Sequence, residues 1–121
     1  MKKIISYTLL IALILGGLYL TSKKQAGEAP RENIVAFAQC LASKNMTMYG
    51  ASWCSHCQNE KSHFGDAFKH VPYVECPENQ QICLEKGIEG YPTWIDAQGN
   101  KFTGEQGLKG LAEITGCELG E

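Results

Sequence analysis

Apolar positions along the chain change period several times, and each change marks an element. From Ile4 to Leu20 the run is apolar apart from Ser6, Tyr7, Thr8 and two glycines, behind the basic head Met1-Lys2-Lys3. Ile34, Val35, Phe37, Ala38 and Leu41 then fall at the spacing of one helix face, which predicts a helix over 31–43. Lys44-Asn45 breaks it. Met46–Tyr49 reads as a short strand, Gly50–Trp53 as a turn, and 54–69 as a helix with Phe64 and Phe68 on one side. Val71–Cys76 is a second strand, Glu78–Lys86 a short helix ended by Gly87, and Gly90–Asp96 a strand entered through Pro92. Ala97–Asn100 turns the chain back into Lys101–Thr103, and Gly107–Gly116 closes it with a helix.

Strand–helix–strand followed by a hairpin and a helix is the order of an α/β sandwich with a mixed central sheet. Residues 1–22 form a separate apolar segment, 23–30 a polar linker, and 31–121 a single small domain. The seventeen residues of this run rise about 25 Å as a helix, near the lower limit for a bilayer core of roughly 30 Å. The segment therefore reads as one N-terminal transmembrane helix, or as the core of a secretory signal peptide. Cleavage after Ser22 or Ala26 would place Leu20 or Lys24 where a small residue is needed, and cleavage after Ala29 is followed at once by Pro30. An uncleaved anchor is the expectation.

Charge narrows the partners. From Arg31 onward there are seven Lys and Arg against twelve Asp and Glu, a formal charge of −5. Nucleic acid, which needs a basic face, is excluded as a partner. Six cysteines in so short a domain, behind an export-type segment, point to an oxidising compartment. The domain is then expected on the extracytoplasmic side of a cell membrane, in a periplasm or equivalent lumen.

Cys54-Ser55-His56-Cys57 is a C-x-x-C between a strand and a helix. A cysteine at a helix start faces unpaired N–H groups and the positive end of the helix dipole, which favour the reactive thiolate. His56 is expected to donate a hydrogen bond to that thiolate or to carry a positive charge beside it, favouring the reduced form and hence oxidation of others. Cys57, one turn in, would attack the mixed disulfide on Cys54 and release the partner, with Trp53 as an apolar rim. By itself the motif is also half a zinc site or a structural disulfide; zinc would need further ligands such as Cys76 and Cys83. Pro92, about 35 residues on, is either an ordinary trans proline at a sheet edge or a cis proline holding backbone groups open beside the active sulfur.

Trp53-Cys54-Ser55-His56-Cys57 followed by Gly90-Tyr91-Pro92-Thr93 resembles the thioredoxin superfamily. The resemblance implies a three-layer thioredoxin-like sandwich, a cis peptide at Tyr91–Pro92, Cys54, Cys57, His56 and Pro92 as the working residues, and substrate contact at Trp53, Tyr91 and Thr93. Met48 to Gln58, Pro72 to Pro77, Cys83, Gly90 to Trp94 and the terminal helix are more closely similar to one subgroup, the thioredoxin-like domain fused to or partnered with bacterial and plastid homologues of vitamin K epoxide reductase. That likeness covers roughly residues 34–117. It implies disulfide formation without a cofactor of the domain's own. Electrons would pass from the thiols of exported proteins to a vitamin K epoxide reductase-like membrane oxidase. The quinone-reducing helices are missing from this sequence, so no quinone site carries over.

One departure stands out. Ordinary thioredoxins hold a buried acid six residues before the first active cysteine, and Met48 occupies that position here. Glu60, Lys61 and His63 lie near Cys57 in sequence and are expected to be solvated helix residues. The subgroup carries a pair matching Cys76 and Cys83, which implies a disulfide there, the sharper alternative being a second redox pair that relays electrons from Cys57. Cys40 and Cys117 sit on elements that can pack together on one face of such a sheet, giving a second staple against the alternative of two free buried thiols. Rival functions are an anchored reductase for apocytochrome or metallochaperone thiols, a metal-binding module built on the cysteines, and a purely structural adaptor.

Overall fold

The computed structural model describes residues 2–21 and 29–120; the expected linker lies largely outside them. The chain divides into two compact units, Met1–Pro30 and Arg31–Glu121. In the first, α1 (Lys2–Thr21) is a 20-residue helix whose Ile4, Leu9, Leu10, Ile11, Leu13, Ile14 and Leu15 are exposed. Among the described residues no helix is long and apolar enough to cross a membrane. The transmembrane span expected within residues 1–22 is therefore not shown among the described residues.

The second unit contains α2 (Ala29–Ser43, which begins just ahead of it), β1 (Thr47–Gly50), α3 (Ser55–Ser62), β2 (Tyr73–Glu75), α4 (Gln80–Glu85), β3 (Thr93–Ile95), β4 (Lys101–Thr103) and α5 (Gly107–Thr115). The strands form one sheet in the order β2-β1-β3-β4, with β1 and β2 parallel and the other pairs antiparallel. The mixed α/β sandwich read from the sequence is therefore present. The parallel pair is joined through α3, as a crossover requires.

Strand alternation divides the core in two. Met48 and Trp94 point into a large cluster with Phe37, Ala38 and Leu41 of α2, Cys57 of α3, Phe64, and Leu111 of α5. Tyr49 and Ile95, one residue along each strand, point the other way and pack with Cys76 and with Cys83 of α4. Helices thus cover both faces. Phe64 is the hinge of the larger cluster, 6.2 Å from Phe37, 5.8 Å from Phe68 and 6.4 Å from Trp94 between ring centroids.

The helix expected over 54–69 is two pieces. α3 stops at Ser62, and a tighter 3-10 segment runs from Gly65 to His70. Gly65 has φ +53°, a left-handed conformation that a continuous α-helix cannot contain. The break turns Ala67 and Val71 back into the core beside Phe64. The strand expected over 90–96 is shorter for a related reason: 90–92 is a loop, and regular pairing begins at Thr93.

Two disulfides staple the unit. Cys40 of α2 is bonded to Cys117 just past α5, with an S–S distance of 2.01 Å. Cys76 is bonded to Cys83 of α4 at 2.04 Å. With both sulfurs of the second pair joined to each other, a zinc module drawing on Cys76 and Cys83 has lost two of its ligands.

Candidate active site

The free cysteines are Cys54 and Cys57. Cys54 is the residue before the first turn of α3; its backbone is extended (φ −76°, ψ 121°) and its carbonyl accepts the first helical bond, from Gln58 N at 3.0 Å. Its own N–H closes a tight turn onto Ala51 O at 3.1 Å. Cys54 therefore sits at the helix end, where N–H groups lack helical partners. Cys54 as a whole residue is 9 % exposed, at the edge of burial, against 0 % for Cys57. One thiol can therefore be reached and the other is sealed.

Across from Cys54 lies the Tyr91–Pro92 loop, whose peptide bond is cis. The Cys54 thiol points at Tyr91 O, 3.8 Å away. Trp53 stands 70 % exposed beside it, its ring edge-on to Tyr91 at 6.0 Å. Thr93 is buried, its hydroxyl donating to Gly90 O at 2.7 Å, so it shapes the loop from within instead of facing a substrate. Trp53 and Tyr91 continue into a hollow of about 400 Å³ walled by the Cys76–Cys83 disulfide, Pro77, Leu84 and Ile88. Its lining carries no charge. A second hollow, of about 350 Å³ and lined by residues such as Ile34, Val35 and Phe64, lies away from the sulfurs.

Of the two roles expected for His56, the hydrogen bond to the Cys54 sulfur is not the one its Nδ1 makes. Its ring is 72 % exposed, and Nδ1 donates to Glu105 Oε1 at 2.7 Å, so that nitrogen is committed to a carboxylate and not to a sulfur. Asn59 Nδ2 donates to the other Glu105 oxygen at 2.6 Å. The bond from His56, then that from Asn59, holds the Glu105 carboxyl below its ordinary range. The loop before α5 is thereby clasped to α3.

Glu60 and Lys61 are also not the solvated residues expected. Glu60 is 0 % exposed and accepts from Trp94 Nε1 at 2.9 Å, Gln106 N at 3.0 Å and Gly107 N at 3.1 Å. A buried carboxylate at the amino end of α5 is thus satisfied by an indole and by two backbone donors. Its burial was readable: Cys57, Glu60 and Phe64 share one helix face at spacings of three and four. Lys61 lies over the Tyr73 ring, 3.7 Å from its centroid, and over Phe68 at 5.3 Å. His63 is exposed, as expected.

Behind Cys57 the wall is Gly50. A Cβ there would lie 2.7 Å from the Cys57 sulfur and 3.4 Å from the Tyr73 ring, so only glycine lets the two meet. Tyr73 donates to Glu75 Oε2, and Glu75 Oε1 accepts Ser52 N–H at 2.7 Å. Burial first, with the Cys54 hydrogen bond adding to it, pushes the Cys57 thiol up to about 11, against relief from the Ala51 backbone and the Lys61 charge.

A buried and a reachable cysteine one turn apart, beneath a cis-proline loop, is the arrangement of a dithiol that opens and closes as a disulfide. Comparison with known proteins agrees: the family description Thioredoxin matches residues 35–115. The chain belongs to the thioredoxin family. This thioredoxin-family chain is 43 % identical over 94 residues to the thiol-disulfide oxidoreductase LTO1 of Arabidopsis thaliana, covering 70 % of this chain and 25 % of that protein. It is 31 % identical over 112 residues to protein disulfide isomerase-like 2-2 of rice, Oryza sativa subsp. japonica, covering 76 % and 30 %. The chain therefore spans under a third of the length of these relatives. The part it shares with them is its thioredoxin domain.

Proposed function

We propose that the protein makes disulfides in exported proteins and passes the electrons to a membrane oxidase resembling vitamin K epoxide reductase. The observation that carries the reading is the pairing of a reachable Cys54 at a helix start with a sealed Cys57 behind it. In the oxidised protein, a substrate thiolate attacks Cys54, breaking the Cys54–Cys57 bond and forming a mixed disulfide. A second substrate thiolate then attacks the substrate sulfur of that bond, and both active cysteines leave reduced. The oxidase takes the two electrons by the same exchange in reverse. Trp53 and Tyr91 flank the sulfur, and the Tyr91 carbonyl beside it offers a backbone acceptor to an extended peptide.

Support for an extracytoplasmic setting comes from the Cys40–Cys117 and Cys76–Cys83 bonds, which persist only where thiols are oxidised. Support for a place at the membrane comes from α1, whose exposed apolar side chains need cover. The vitamin K epoxide reductase partner rests on the motif resemblance. Trapping with Cys57→Ser tests the whole route: Cys54 should capture exported proteins and, separately, a membrane oxidase. Capture of neither would end the reading. Cell fractionation of the same strain tests the membrane part, which fails if the chain stays wholly in the soluble fraction.

One observation favours a second reading, that of an anchored reductase. Glu105 pairs with His56 and offsets the charge that would have favoured the thiolate, making the dithiol less oxidising than the bare motif suggests. A reduction potential near about −120 mV supports the oxidant, and one near about −270 mV the reductant.

A further inference from the structure

Cys57 cannot act as a nucleophile until it loses a proton, and nothing in its immediate shell is an evident base. It is sealed from solvent among Phe37, Met48, Trp94 and Leu111, none of which carries a charge. The position where thioredoxins hold a buried acid is Met48, itself 0 % exposed. Glu60, three residues further along α3, is engaged by Trp94, Gln106 and Gly107. Cys54, just ahead of α3, and Lys61 of α3 act on the Cys57 thiol, which in turn acts on Tyr73 of β2, with Glu75 behind Tyr73.

Sheet register puts Tyr73 opposite Met48, the site of the missing acid, and Glu75 opposite Gly50. The place a Gly50 side chain would fill is 2.7 Å from the Cys57 sulfur and 3.5 Å from the Tyr73 hydroxyl. The two groups are thus no further apart than the sum of those distances, within reach of proton exchange through one water. The hydroxyl donates in turn to Glu75, which is only half-buried and opens toward solvent. Lys61 covers the ring from above at 3.7 Å.

We propose that Tyr73 and Glu75 relay the proton of Cys57 to solvent, with Lys61 as a charge that steadies the resulting thiolate, in place of the acid that Met48 displaces. The step concerns the mixed disulfide between Cys54 and a partner sulfur. The Cys57 proton passes through one bridging water to the Tyr73 oxygen as the Tyr73 proton passes to the Glu75 carboxylate. The Cys57 thiolate attacks the Cys54 sulfur, a Cys54–Cys57 bond forms, the bond to the partner breaks, and the partner leaves as a thiolate. Cys57 is oxidised and the partner sulfur reduced, so no other oxidant enters; Glu75 then gives its proton to water. Burial first, then the bond to Glu75, raises the Tyr73 hydroxyl above its ordinary value, which keeps it protonated as a conduit. Burial opposes the Glu75 charge, but hydrogen bonds from Tyr73 and Ser52 and the Lys61 charge outweigh it, leaving the carboxyl below its ordinary value and ionised to receive the proton.

The inference rests on Cys54 forming mixed disulfides, and the experiment separates the two. Reduced full-length chain is mixed with oxidised glutathione, quenched in acid at intervals, and weighed, so that attack by Cys54 and release by Cys57 are timed separately. At pH 7, Tyr73→Phe, Glu75→Gln and Lys61→Met should each slow release by at least about 10-fold, the scale of a lost proton transfer, and leave the first step within about 2-fold. The deficit should shrink as pH nears 11, where the Cys57 thiol ionises unaided. Unchanged release in Tyr73→Phe, which keeps the ring under Lys61, would overturn the relay. So would equal slowing of both steps at every pH, the mark of a merely structural change. If the parent chain formed no mixed disulfide at all, the exchange assignment of Cys54 would fall first.

Discussion

Single atoms decide whether this dithiol works. Gly50→Ala would drive a methyl group into the Cys57 sulfur at 2.7 Å and against the Tyr73 ring. Overpacking of that kind costs about 1–3 kcal/mol, to be read as a lower urea midpoint with an unchanged slope. Cys57 gives a pH signature as well. Its pKa is raised on folding, so its contribution to the reduced protein is whole below the ordinary 9.0 and disappears as pH climbs through about 11. Reduced protein should therefore lose stability between those values faster than Cys57→Ser does, and parallel curves in urea titrations would refute the shift. At this scale the sequence exposed Cys54, Cys57, Trp53 and Pro92, because a motif places them. It hid Tyr73 and Glu75, whose meaning depends on a strand lying beside α3.

Among the elements, Glu60 joins α3 to β3 and to the amino end of α5. Glu60→Ala leaves the Trp94 indole N–H and two backbone N–H groups buried without a partner. A loss of about 3 kcal/mol is expected in denaturant, and Glu60→Gln, which keeps an acceptor, should lose less. Equal losses for both would show that shape, not acceptance, matters there. The elements were mostly legible: the periods of the apolar residues give the helices and strands in order, and Asp96 fixes the hairpin by accepting Gln98 N and Asn100 N. The break in the helix after Ser62 was not, because Gly65 tolerates a helix and only the packing of Ala67 and Val71 rewards leaving it. Glu60 was misread for the converse reason. Its charge suggested solvent, while its spacing from Cys57 and Phe64 suggested the core, and the partners that settle the matter come from 34 to 47 residues away.

For the molecule as a whole, the staples set how much unfolding can achieve. Cys40–Cys117 closes a separation of 77 residues and Cys76–Cys83 one of 7. Chain entropy gives about 4 kcal/mol for the long loop and about 2 kcal/mol for the short one. Paired serine replacements should lower the melting temperature in that order, and a larger drop for the short loop would rule the entropic account out. The short bridge has a further consequence, since it is also masonry: it forms one side of the hollow that adjoins Trp53 and Tyr91. A laboratory buffer rich in dithiothreitol would open that side while leaving Cys54 ready to react. Turnover measured under such conditions would report bare sulfur chemistry with the fit to a protein client already dismantled.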